Sequence, residues 1–183
     1  MNTTEIMQNL EKWTNYYIEE LDGYSEDQLK LKPSEEAWSL GQMYVHLIQT
    51  ALYMQLKNAE QCRIGSEAEG DPAETEMPVK SEVGEAVFNL GGFPPMRIQV
   101  PASPQYTPSQ AESKQQLVDG LQAVLRRAGE LAPAMNEASP HYKIAHPRLG
   151  GLNAAEWFAL VEMHYRHHLL QKERLQAFIA ECQ

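Results

Sequence analysis

Cysteine is scarce in this chain of 183 residues: Cys62 and Cys182 stand alone rather than in a C-x-x-C pair. Nothing points to a disulfide framework, and a reducing cytoplasm is the natural compartment. Long apolar runs are missing as well. None approaches the roughly 20 residues that cross a bilayer, and the opening MNTTEIMQNLEKW is polar and amphipathic rather than charged and then apolar like a secretion signal. The expectation is a soluble, cytoplasmic protein with no membrane partner. Bases are the third shortage, 15 against 25 acids for a net charge of −10, and no basic stripe follows any predicted helix. Such a surface repels a phosphate backbone, which argues against nucleic acid as a partner. The length suits one domain, residues 1–183, that buries on the order of 70% of its unfolded surface in a single core.

What is present is helical periodicity. A first helix is expected from about Thr3 to Asp22, with Ile6, Leu10, Trp13, Tyr17 and Leu21 at spacings of three and four and Gly23 as its cap. Trp13, Tyr16 and Tyr17 span more than one of its faces, which suggests a homodimer surface as well as a core. Ser25 to Leu31 reads as a short helical turn before Pro33. A second helix starts at a capping box, Ser39 with Gln42, flanked by Trp38 and Met43 at the spacing of a hydrophobic staple, and runs to about Cys62. A third starts at Ser109 with Glu112 and carries Leu117, Leu121, Val124, Leu125 and Leu131. The fourth, Asn153 to about Glu181, opens on Asn153 with Glu156 as cap pair and Leu152 with Trp157 as staple. With no convincing strand hairpin, the economical architecture is all-α, a four-helix bundle.

Residues 65 to 108 differ in kind, holding seven of the eleven prolines and an acidic first part. Ser81 to Leu90 reads as a short helix and Arg97 to Val100 as an extended piece. A connection this long is a flap over a site, a crossover between distant helix ends, or a loosely packed surface loop. Asn136 to Leu152 reads as a second irregular stretch.

The chemistry gathers in the fourth helix, in the run His164-Tyr165-Arg166-His167-His168. At about 100° per residue, Trp157, Leu160, Val161, His168, Gln171, Leu175, Phe178 and Ile179 fall within about 60° of His164, so two histidines share an otherwise apolar stripe. Residues four apart stack on a helix, so both imidazoles can reach one ion; a pair of core histidines bonded to neighbouring carbonyls has the same pattern. His167 lies about 100° around, beside Met163, Leu170 and Arg174, and is the poorer ligand. On the second helix, His46 shares a face with Met43, Thr50, Tyr53 and Lys57, a third histidine on a bundle-facing stripe. Three imidazoles leave coordination positions open, and without a carboxylate they suit zinc or nickel better than manganese or iron. A protease of the H-E-x-x-H kind is disfavoured: Tyr165 follows His164, and Glu162 and Glu173 point away from the stripe.

Trp38-Ser39, Gln42-Met43 and His46-Leu47, with His146-Pro147, Leu149-Gly150, Glu156-Trp157 and His164-x-x-His167-His168-x-x-Gln171, resemble the DinB/YfiT-like superfamily of proposed metalloenzymes. The resemblance implies a four-helix bundle whose metal is held by His46, His164 and His168. The long proline-rich connection departs from the compact members. Relatives include S-transferases that use low-molecular-weight thiols and isomerases acting on small molecules. The expected function is therefore a metal-dependent enzyme of the thiol S-transferase type acting on a small-molecule substrate, with a metal-dependent hydrolase or a non-catalytic metal-binding bundle as alternatives. Tyr53, two turns past His46, and Gln171, one turn past His168, are candidates to orient ligands or substrate, or merely to fill the bundle.

Overall fold

The computed structural model describes residues 2–70, 73, 77–95 and 107–182. Four long helical segments dominate: α1 (Thr3–Leu21), α3 (Leu40–Thr50) continued by α4 (Leu56–Glu69), α6 (Lys114–Met135) and α7 (Ala154–Glu181). Two short helices, α2 (Glu26–Lys30) and α5 (Glu82–Leu90), lie in the connections. α1 packs on α6 and α7, and α4 packs on α7 and α6, which makes the bundle expected from periodicity. No helix among the described residues is long and apolar enough to cross a membrane.

The helix starts follow local chemistry. Ser39 and Gln42 form the reciprocal capping box, as do Asn153 and Glu156, so each pair satisfies two backbone donors that have no partner inside the helix. The start of α6 is a correction, since Ser113 rather than Ser109 caps it by accepting from the Gln116 amide. Residues 108–110 are occupied elsewhere. Gln42 Nε2 donates to the Pro108 carbonyl at 2.7 Å and Ser39 Oγ donates to Gln110 Oε1 at 2.9 Å, which ties this stretch to the head of α3. α1 ends at Leu21 without a left-handed Gly23, because Asp22 continues in right-handed geometry.

A second correction is a small antiparallel hairpin, β1 (Ile144–His146) and β2 (Gly150–Leu152), within the stretch read as irregular. Strands of three residues are too short for an alternating pattern to show in sequence. His146 Nδ1 closes the turn by accepting from the Arg148 and Leu149 amides, each at 3.1 Å. Gly150 has φ +73°, in the left-handed region that suits glycine. Residues 79–81 run alongside, with the Gly151 amide donating to Val79 and the Ser81 amide to Leu149, both at 2.9 Å. The extended piece expected at Arg97 to Val100 lies outside the described residues.

The aromatic residues Trp13, Tyr16 and Tyr17 of α1 each have a partner within the chain. Tyr17 is fully buried and its hydroxyl donates to the Tyr165 carbonyl at 2.8 Å, while Tyr44 donates to the Tyr17 carbonyl at 2.9 Å. Trp13 Nε1 donates to Glu162 and the Tyr16 hydroxyl accepts from Lys172, so their spread over several faces has a reason within one subunit. Leu47, Leu121, Trp157 and Leu160 complete the buried centre, each worth roughly 1.5–3 kcal/mol of burial.

Candidate metal centre

His46 leaves the second turn of α3 and meets His164 and His168 from α7. The Nε2 of His164 lies 3.1 Å from that of His46 and 2.9 Å from that of His168. His164 and His168 are both nearly closed to solvent, and the three ligand atoms lie within 4.8 Å of one another. Trp38, expected only as a staple, covers His46 with ring centroids 4.9 Å apart. The four-residue step on α7 does what the helix geometry requires, stacking the two imidazoles edge to face with centroids 4.5 Å apart.

Gln171 fixes the tautomer of His168. His168 Nδ1 lies 2.8 Å from Gln171 Oε1; a carboxamide oxygen only accepts, so Nδ1 holds the proton and Nε2 presents a lone pair. Thr50 Oγ1 stands 3.4 Å from His46 Nδ1. Gln171 therefore touches the cluster. Tyr53 does not: it is 71% exposed, and no hydrogen bond or ring contact joins it to the histidines among the described residues. The cause is a π-helical turn, Ala51–Gln55, between α3 and α4. One extra residue in a turn resets the helical phase by about 100°, so a count at 3.6 residues per turn fails from Ala51 onward.

The nitrogen cluster fits a cation. Burial lowers the pKa of His46 to about 4 and that of His168 to about 3. Burial does the same to His164, and the neighbouring histidines push it lower still. Near neutral pH all three rings are uncharged, and at most one proton on His164 Nε2 could serve two lone pairs. Two nitrogens held at ~2.0–2.1 Å from one ion lie roughly 3 Å apart, which is the observed spacing. No carboxylate joins the cluster among the described residues. Glu162 is 3% exposed but is turned to Arg166, at 3.0 Å, and to Trp13. Glu173 faces solvent.

His167 stands outside this cluster. Its ring packs on Phe93, centroids 5.2 Å apart, beside a cavity of about 200 Å³ lined by Phe93, Met163, Arg166, His167 and Leu170 among others. Arg166 fixes that wall by donating to the Gly91 carbonyl at 2.7 Å. The cavity was not legible in sequence, because α5 and the residues after it reach α7 only through tertiary contacts. Neither cysteine takes part: Cys62 is buried with its thiol directed at the Leu152 carbonyl, and Cys182 is exposed at the end of α7.

Residues 9–171 match the sequence pattern of the DinB superfamily. No curated protein and no solved structure matches the chain. The matched region begins within α1, ends at Gln171 and contains all three clustered histidines. By that match over most of its length, with the helical bundle and its histidine cluster, the chain belongs to the DinB superfamily.

Proposed function

We propose that His46, His164 and His168 hold one divalent ion, zinc or nickel, in an enzyme that transfers a low-molecular-weight thiol to a small electrophile. The observation that carries this reading is the convergence of three imidazole Nε2 atoms, two of the separations being 2.9 and 3.1 Å, in a buried pocket that keeps them neutral. A divalent ion bound there would lower the pKa of a thiol beside it and so make the reactive thiolate available near neutral pH.

The chain's own residues supply the rest. Gln171 and Thr50 hold the outer nitrogens of His168 and His46, which keeps both rings aimed at the centre. Trp38 covers one side of His46. The cavity walled by Phe93, Met163, Arg166 and Leu170 lies beside His167, the chain neighbour of His168, and is the candidate place for a small electrophile. In the transfer, the sulfur forms a bond to the electrophilic carbon while the carbon–chlorine or epoxide carbon–oxygen bond breaks; the thiol proton is released to solvent or ends on the epoxide oxygen. A hydrolase is less well supported, since no carboxylate among the described residues faces the histidines as a general base.

The deciding experiment is to load the protein with zinc or nickel and follow conjugation of the common cellular thiols to a chlorobimane or an epoxide. A metal-dependent rate that disappears in His164→Gln supports thiol transfer. No rate above that variant for any thiol rejects it and leaves hydrolysis or pure metal binding.

A further inference from the structure

Six described side-chain atoms are buried without a hydrogen-bond partner, and two of them are complementary: His164 Nδ1 and Gln55 Oε1. Gln55 closes the π-helical turn and is 2% exposed. At 3.6 residues per turn it would stand about 180° from His46, on the far side of its helix. The extra residue of the π turn brings it inward, where its Nε2 donates to the Leu160 carbonyl at 3.4 Å. That carbonyl belongs to the turn immediately before His164. Helical side chains lean toward the N-terminus of their helix, so the His164 imidazole lies over the same turn that the Gln55 amide touches.

The chemistry of a ligating imidazole makes the pairing specific. A neutral ring that gives its Nε2 lone pair to a metal carries its proton on Nδ1, and that N–H is normally donated to an acceptor. Thr50 stands beside the outer nitrogen of His46 and Gln171 accepts from that of His168, whereas His164 has no counterpart among the described residues. Gln55 already spends its amide N–H₂ on Leu160, which leaves its carbonyl oxygen as an acceptor without a donor. Of the other four unpartnered atoms, Tyr165 belongs to a ring that packs against Tyr17 of α1, Thr14 is on α1, His167 Nδ1 is on the ring that packs on Phe93, and Arg63 Nε belongs to a guanidinium paired with Glu67.

We propose that Gln55 is the positioning residue for His164, accepting its Nδ1–H when the three histidines hold a metal, and that the π turn exists to bring it there. This rests on the metal reading given above. The test is competition of the purified protein with a chromophoric chelator for zinc, comparing the unaltered chain with Gln55→Met, which keeps the length but has no oxygen, and Gln55→Glu, which restores an acceptor. Melting of the metal-free proteins is measured alongside.

Gln55→Met is expected to bind zinc roughly 10–100-fold more weakly, and Gln55→Glu to return to within about threefold of the original or tighter. Affinity unchanged in Gln55→Met overturns the assignment while leaving the metal site intact. Equal weakening in Gln55→Met and Gln55→Glu also overturns it, because packing rather than an acceptor would then be what the site needs. Absence of zinc binding by the unaltered chain removes the metal reading and this proposal with it.

Discussion

Gln171 Oε1 accepts from His168 Nδ1 at 2.8 Å, from a position three residues further along the same helix. The bond commits one proton of the cluster and leaves the other nitrogen of His168 as a lone pair 2.9 Å from His164. A helix thereby supplies two of the three clustered imidazoles and the group that orients one of them from a single stretch of eight residues.

Element analysis of single variants tests the ligand set. His46→Gln, His164→Gln and His168→Gln should each lower metal content to a small fraction of one ion per chain, since two imidazoles hold a divalent ion far less well than three. His167→Gln should keep it, because that ring faces Phe93. Loss in His167→Gln together with retention in His168→Gln would mean that the three-residue step, not the four-residue one, provides the ligands.

What could be read from the sequence was what depends on near neighbours. The capping boxes at Ser39 and Asn153 and the step from His164 to His168 are contacts between residues three or four apart, and each stands as expected. The short helices α2 and α5 were legible for the same reason. The errors arise where a distant contact decides. Ser109 has the spacing of a cap, yet Pro108 and Gln110 are bound to the head of α3, and the helix waits until Ser113. Tyr53 fits the His46 face by counting, but the π turn at Ala51–Gln55 turns it outward and carries Gln55 in. No local pattern marks that turn.

The metal-free protein should lose stability as pH falls from about 6.5 toward 4. His46 titrates at about 4 and His168 at about 3 in the folded chain, against ~6.5 in an unfolded one. Between those values the unfolded chain binds protons that the folded chain refuses, so unfolding gains ground as pH drops; above about 6.5 both states are neutral and the contribution vanishes. Each such histidine adds a slope of roughly 1.4 kcal/mol per pH unit. His146 and His167 act in the same direction and are common to both proteins compared. Urea unfolding at pH 7 and pH 5 should show a steeper fall for the unaltered chain than for the triple His→Gln variant. Equal slopes would count against burial of the three rings.

Lys172 is 0% exposed, and its Nζ donates to Glu20 Oε2 at 2.7 Å and to the Tyr16 hydroxyl at 3.0 Å, joining α7 to α1. The lysine contact is also the main reason the Glu20 carboxyl is held below the ordinary range. The two partners are unequal, because Glu20 is about one-third exposed. Glu20→Gln leaves a buried ammonium without its counter-charge and should cost roughly 2–3 kcal/mol, less than a fully buried pair because water reaches Glu20. Lys172→Met leaves only a carboxylate that solvent can hydrate, and should cost roughly 1 kcal/mol or less. Thermal melting that reverses this order would show that the lysine stem, not its charge, is what matters.

The final prediction concerns the backbone contact that holds residues 78–81 against the hairpin. A Cβ on Gly151 would stand 1.8 Å from the Pro78 carbonyl oxygen and 2.5 Å from its carbon, both fixed backbone atoms. Neither side can yield without breaking the bonds from Gly151 to Val79 and from Ser81 to Leu149. Gly151→Ala should therefore destabilise the protein by roughly 1–3 kcal/mol, as overpacking does, and release the approach to α5. Gly129 is the contrasting case, in the interior of α6 with Met7 Cε at 3.9 Å the nearest atom to a new Cβ. Gly129→Ala removes conformational freedom from the unfolded chain at no steric cost and should stabilise by about 0.5–1 kcal/mol. Hydrogen exchange adds the local readout: the Ser81 and Gly151 amides of the unaltered chain should exchange slowly, and the Ser81 amide should become fast in Gly151→Ala while the amides of α6 do not. An unchanged Ser81 rate in that variant would mean that residues 78–81 can accommodate a Cβ at Gly151 without losing their bonds to the hairpin.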